Sequence, residues 1–122
     1  NKKKSILLPV SAPFHCSLMK PASNAMEKII KSINFKKPNF KIVTNVTAEA
    51  EEDETKLKQL LIQQIYTKVR WRESINYMIK KSVQEFVEIG PGKVLSGLIK
   101  RIAPDKNSFS INSIDDIKNI KK

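Results

Sequence analysis

Phe86-Val87-Glu88-Ile89-Gly90-Pro91-Gly92-Lys93-Val94-Leu95-Ser96-Gly97-Leu98-Ile99-Lys100-Arg101-Ile102 reads as a strand, a tight turn and a helix in immediate succession. Residues 84–89 have strand length and carry an apolar, partly β-branched run. Gly90-Pro91-Gly92 then turns the chain, its glycines letting backbone and helix approach closely. Val94, Leu95, Leu98, Ile99 and Ile102 recur at helical spacing on one face, and the helix must stop before Pro104. Residues 108–112 form the next strand. A strand, a helix and a second strand in this order define a crossover between parallel strands. The turn resembles a phosphate-binding loop only superficially, because that motif needs glycine at Val87 and Ser or Thr at Val94.

The same alternation extends upstream. Leu57, Leu60, Leu61 and Ile65 mark one amphipathic helix and Trp71, Ile75, Met78 and Ile79 another, with residues 67–70 as the joint. Residues 40–46 read as a strand, followed by Glu49-Ala50-Glu51-Glu52-Asp53-Glu54, expected to be a solvated, mobile loop. From Ser17 to Ile33, Leu18, Ala22, Met26, Ile29, Ile30 and Ile33 lie at three- and four-residue spacing, and Pro21 fits only in the first turn of such a helix. Residues 5–10 form a further short strand, and Ser113 with Asp116 resembles a capping box opening a terminal helix. The fold class is therefore α/β, a largely parallel sheet covered by helices. In such sheets functional groups gather where strands end and helices begin. His15, Asn45 and the Gly90-Pro91-Gly92 turn all occupy predicted strand ends.

Composition narrows the function classes. The 122 residues suit one domain or a large piece of one, and the chain opens on Asn1, as expected of a piece of a longer protein. Lys and Arg outnumber Asp and Glu 23 to 12, a net charge of +11 that attracts anionic partners without identifying them. A single cysteine, Cys16, excludes an intrachain disulfide and a cysteine-rich zinc site and agrees with a cytoplasmic protein. The apolar run after Lys2-Lys3-Lys4 breaks at Pro9, short of the roughly 7–15 residues of a signal peptide. No stretch reaches the about 18–20 apolar residues of a membrane span. His15 is the sole histidine, and with one neighbouring cysteine it does not supply the three or four ligands of a metal site. Tyr66, Trp71 and Tyr77 sit at helical spacing among Ile65, Ile75 and Met78, which points to packing rather than nucleic-acid stacking. Cys16 reads as a small packing residue, since neighbours on an extended segment face opposite sides.

Three blocks together carry a family resemblance. Leu8-Pro9-Val10-Ser11-Ala12-Pro13-Phe14-His15-Cys16-Ser17-Leu18-Met19, then Gln63-Gln64-Ile65-Tyr66 through Val69-Arg70-Trp71-Arg72-Glu73-Ser74-Ile75, then the strand–turn–helix run from Phe86 to Ile102, resemble the C-terminal portion of bacterial malonyl-CoA:acyl carrier protein transacylases. The match spans nearly the whole chain in the same order. It implies a ping-pong transfer in which a serine takes the malonyl group from coenzyme A and passes it to the phosphopantetheine thiol of acyl carrier protein. In that scheme His15 matches the catalytic histidine, and the backbone carbonyl that orients it falls on Gln64. Phe14 matches the bulky position of malonyl-selective acyltransferases, leaving little room for an α-methyl branch.

The chain departs from the family pattern in two respects. The nucleophile elbow G-x-S-x-G does not occur, since Val94 stands where the first glycine before Ser96 would be, and neither Arg70, Arg72 nor Arg101 matches the arginine that grips the malonyl carboxylate. The resemblance therefore implies that residues 1–10 end a small ferredoxin-like subdomain and residues 11–122 form the C-terminal half of a large, hydrolase-like acyltransferase subdomain. Such a piece supplies the histidine but not the serine, and is expected to be inactive alone. The implied partners are acyl carrier protein and the N-terminal half of the same enzyme, with no nucleic acid, no membrane and no cofactor beyond the substrates malonyl-CoA and phosphopantetheinylated acyl carrier protein. Lys93, Lys100 and Arg101 are candidate contacts for the acidic carrier protein. A basic binding module or a non-catalytic interaction fragment is the alternative.

Overall fold

A computed structural model describes residues 12–119, which divide into two compact units, one up to Val69 and one from Arg70. The predicted strand at 5–10 and the small-subdomain assignment of residues 1–10 lie outside the described residues.

The first unit opens with a 3₁₀ turn, Ser17–Met19, that runs into α1, Lys20–Ser32, with Pro21 in its first turn where a missing N–H does no harm. A hairpin of two short antiparallel strands follows, β1 (Ile42–Val43) and β2 (Ala50–Glu51), then α2 (Glu54–Gln64). The acidic run is thus ordered rather than a mobile loop. Its carboxylates do the ordering: Glu51 accepts from the backbone N–H groups of Glu52 and Asp53 and pairs with Lys56, while Asp53 caps α2 by accepting from Lys56 N at 2.7 Å. The Lys56 ammonium, aided by those two N–H groups, lowers the Glu51 carboxyl to about 2.

α1 rests on α2 through Ser23 and Ile30, and α2 buries Leu57 and Leu60. The Lys58 ammonium donates to the Ile33 carbonyl at 2.7 Å, covering the open end of α1. The apolar stripe read from the sequence is mostly on another face: Met26, Ile29 and Ile33 are 42%, 55% and 49% exposed. Among the described residues of its unit α1 packs chiefly on α2, and the face turned away from α2 stays open.

The second unit begins with α3 (Trp71–Lys80), β3 (Glu85–Ile89), α4 (Val94–Ile102) and β4 (Asn107–Ile111), and closes with the short α5 (Ile114–Asn119). β3 and β4 are parallel, with Val87 opposite Phe109 and Ile89 opposite Ile111, as the strand–helix–strand reading requires. Ile75, Phe86 and Ile99 form the core, ringed by Trp71, Met78, Ile79, Val83 and Ile102. Val87 and Ile89 point to the opposite face of the sheet and remain 42% and 81% exposed.

Glu88 closes this unit from inside the sheet. α4 has no acidic residue in its first turn and its N-cap, Lys93, offers no side-chain acceptor. The Glu88 carboxylate instead accepts from Leu95 N at 3.1 Å, Ser96 N at 2.8 Å and the Ser96 hydroxyl at 2.8 Å. These donors, led by the Ser96 backbone N–H, hold the Glu88 carboxyl below its ordinary value. Gly90 and Gly92, at φ of 136° and 101°, make the turn between the two elements in a region that side chains rarely enter. Ser113 and Asp116 form the reciprocal capping box, with Ser113 N donating to Asp116 at 2.9 Å and Asp116 N to Ser113 at 3.3 Å.

A carboxyl whose folded pKa is depressed contributes stability above its unfolded pKa and loses it as pH falls through the folded value. Glu88→Gln should therefore lower the urea midpoint at about pH 7, and the gap from the parent should narrow below about pH 4. Circular dichroism at the two pH values checks this.

Candidate active site

The described backbone reaches His15 through a tight turn in which Phe14 N donates to Ala12 O at 2.9 Å. His15 has a φ of 57°, in the left-handed region that costs an L-residue about 1–2 kcal/mol. Cys16 returns to extended backbone, and its thiol donates to the Pro13 carbonyl at 3.1 Å, fastening the turn across its base. The imidazole is thereby placed on the surface, with its ring committed to one partner.

That partner is the end of α2. A helix leaves its last four carbonyls without intrahelical donors. His15 Nδ1 lies 3.1 Å from the Gln64 carbonyl oxygen, which can only accept, so Nδ1 carries the proton. In the neutral ring Nε2 then keeps its lone pair and is free to take a proton. The two preceding carbonyls are met in the same way. Ile62 O accepts from the Ser23 hydroxyl at 3.0 Å and Gln63 O from the Thr67 hydroxyl at 3.0 Å. Neither Ser23 nor Thr67 stands out in the sequence, because a serine inside a helix and a threonine after one carry no pattern that names a distant carbonyl.

The predicted site residues fall into two groups. Phe14, His15 and Gln64 share the first unit, with Phe14 next to the histidine and 58% exposed. Asn45, placed at a strand end by the sequence, lines a cavity of about 210 Å³ together with Gln64, Ile42, Leu57 and Leu61. Lys93, Lys100 and Arg101 belong to the second unit and are all exposed. Lys93 and Lys100, one and the other end of α4, line one open cleft with Ser96, Gly97, Ser108 and Ser110; Arg101 does not line it. Trp71 packs against the Ile75–Phe86–Ile99 core, so it is not presented for stacking on a nucleic-acid base. Among the described residues no group of three or more His, Cys, Asp or Glu side chains is placed to hold a metal ion.

The class of the fold comes from comparison: solved structures of malonyltransferases superpose on nearly the whole chain. The acyl-carrier-protein-S-malonyltransferase of Bartonella henselae matches with a TM-score of 0.90 and 40% identity, over 96% of this chain and 37% of that one. A malonyl-transacylase in complex with its type II PKS acyl-carrier protein matches with a TM-score of 0.85 and 36% identity, over 92% of this chain and 36% of that one. No family model matches the chain. Among curated proteins, the malonyl CoA-acyl carrier protein transacylase of Haemophilus influenzae is 38% identical over 112 residues, which is 92% of this chain and 36% of that protein. Over this span the chain is a relative of the malonyl CoA-acyl carrier protein transacylases, and it covers about 36% of the length of the curated relatives it matches.

The chain contains a single histidine, so its imidazole gives one set of nitrogen resonances. Nitrogen-15 NMR of the neutral form should find the proton on Nδ1; a ring protonated on Nε2 contradicts the contact with Gln64.

Proposed function

We propose that this chain is the histidine-bearing, C-terminal part of a malonyl-CoA:acyl carrier protein S-malonyltransferase of cytoplasmic fatty acid synthesis. The serine nucleophile and the malonyl-gripping arginine come from sequence outside it. The observation that carries this reading is the 3.1 Å contact between His15 Nδ1 and the Gln64 carbonyl, which leaves Nε2 as a base.

In the first half-reaction Nε2 takes the serine hydroxyl proton as the oxygen attacks the malonyl thioester. The imidazolium returns that proton to the departing coenzyme A thiolate. In the second half-reaction Nε2 accepts the proton of the phosphopantetheine thiol, which attacks the malonyl-serine ester, and the serine oxygen leaves with the proton restored. The Gln64 carbonyl stabilises the transient imidazolium by accepting from Nδ1–H throughout. Phe14 limits the space beside the acyl group, which favours malonyl over branched substrates by about 1–3 kcal/mol. No cofactor beyond malonyl-CoA and the phosphopantetheinylated carrier protein is required by this chemistry.

The named partner of a malonyl-transacylase with this fold is an acyl carrier protein. A basic chain of net charge +11 suits an acidic carrier, with Lys93, Lys100 and Arg101 as its contacts. The other partner is the nucleophile-bearing remainder of the enzyme, for which the open apolar positions on α1 and β3 offer packing surface. Among the described residues no helix is long and apolar enough to cross a membrane.

Grafting this chain in place of the matching third of the Haemophilus influenzae protein provides the test. The graft should transfer malonyl groups, and His15→Ala within it should lower kcat by about 10²–10⁴-fold. A folded, active graft indifferent to His15→Ala overturns the reading. Lys100→Ala with Arg101→Ala should raise the KM for acyl carrier protein at low salt and leave the KM for malonyl-CoA nearly unchanged, the difference fading as salt rises. Equal KM values for the carrier at low salt remove these residues from the docking surface.

A further inference from the structure

We propose that Ser23 is a positioning residue for His15, acting through the last turn of α2; this rests on the catalytic reading of His15 given above. Ser23 is 2% exposed, the most deeply buried polar side chain described, and it lies on the face of α1 that meets α2. Its hydroxyl spans 39 positions of sequence to reach the Ile62 carbonyl at 3.0 Å. Gln64, whose carbonyl holds the imidazole, is two residues further along the same turn.

The arrangement links two attachments of one segment to one helix end. Residues 15–23 run from the strained histidine through the 3₁₀ turn into α1, and both ends of this segment bond to α2, His15 to Gln64 and Ser23 to Ile62. The Lys20 ammonium, between them, lies 5.8 Å from the Tyr66 ring centre, just beyond the end of α2. With both ends held, the turn cannot slide along α2 without breaking one of these two hydrogen bonds. The Thr67 hydroxyl on Gln63 is different in kind, because it closes a contact within the helix end and ties it to nothing else.

The Ile62 carbonyl also accepts from Ile65 N at 3.4 Å, so loss of the Ser23 hydroxyl does not leave it unpaired. Removing the serine oxygen therefore loosens the register between α1 and α2 more than it unfolds the unit. A base displaced by a fraction of an ångström loses rate without losing substrate affinity.

Two readouts separate this role from a general loss of stability. In the graft, Ser23→Ala should lower kcat by roughly three- to tenfold with KM for malonyl-CoA unchanged, and Ser23→Thr, which keeps the hydroxyl, should recover most of it. In this chain, nitrogen-15 NMR of Ser23→Ala should show the His15 Nδ1 proton exchanging faster with water and the ring divided between tautomers. Unchanged kcat together with an unchanged His15 spectrum overturns the proposal, as does a loss that Thr67→Val reproduces in full. If His15→Ala is itself silent, the catalytic reading fails, while the NMR comparison still decides whether Ser23 holds the ring.

Discussion

A helix cannot satisfy its own last carbonyls, and the first unit of this chain is organised around the end of α2, where three in succession are met by side chains. Thr67 serves Gln63 from just beyond the helix, while Ser23 and His15 come from far upstream in sequence. Each donor does two things at once. It adds a side-chain hydrogen bond to a carbonyl at the helix end, and it fixes the segment that carries it. For His15 the second effect is chemical, because a carbonyl acceptor dictates which ring nitrogen bears the proton and so which is left as a base. A carboxylate in that place would also hold the proton on Nδ1, but it would add a full negative charge beside the imidazole. The helix end supplies a dipole instead.

The second unit solves the mirror-image problem at a helix start. The free N–H groups of α4 are met by Glu88, which belongs to the strand before the turn rather than to the helix. This lets the turn be short and rich in glycine, with no capping residue of its own. One strand residue thereby locks strand, turn and helix into a single piece, and the Ser96 backbone carbonyl extends the lock toward β4 by accepting from the Ser108 hydroxyl at 3.3 Å. Packing of Ile75, Phe86 and Ile99 on the same side of the sheet then completes a small core.

Both units leave apolar positions uncovered. On α1 these are Met26, Ile29 and Ile33, and on the sheet Val87 and Ile89. The spacing of these residues was clear from the sequence, but periodicity reports only that a face is apolar, never which neighbour covers it. The relatives are nearly three times as long as the span they share with this chain, so a reading of these faces as interior belongs to the larger fold. The acidic run shows the opposite error. Residues 49–54 look solvated by composition, yet Glu51 and Asp53 are structural, each accepting backbone N–H groups at the hairpin and at the start of α2.

The sequence by itself determined the local elements and the chemistry on offer. Helical spacing of apolar residues placed α2, α3 and α4. Paired glycines about Pro91 placed the turn, Ser113 with Asp116 placed the last cap, and the run through Phe14 and His15 marked the one histidine in the chain. These features depend on contacts within a few residues, which is the range that a linear pattern records. Tertiary structure alone decided which hydroxyl reaches Ile62, how Glu88 comes to cap a helix it does not belong to, and which side of α1 is covered. The first two depend on backbone carbonyl and N–H groups at helix ends, and such a group is the same in every residue. Nothing in the one-letter pattern records it until folding brings a donor or an acceptor within 3 Å or so.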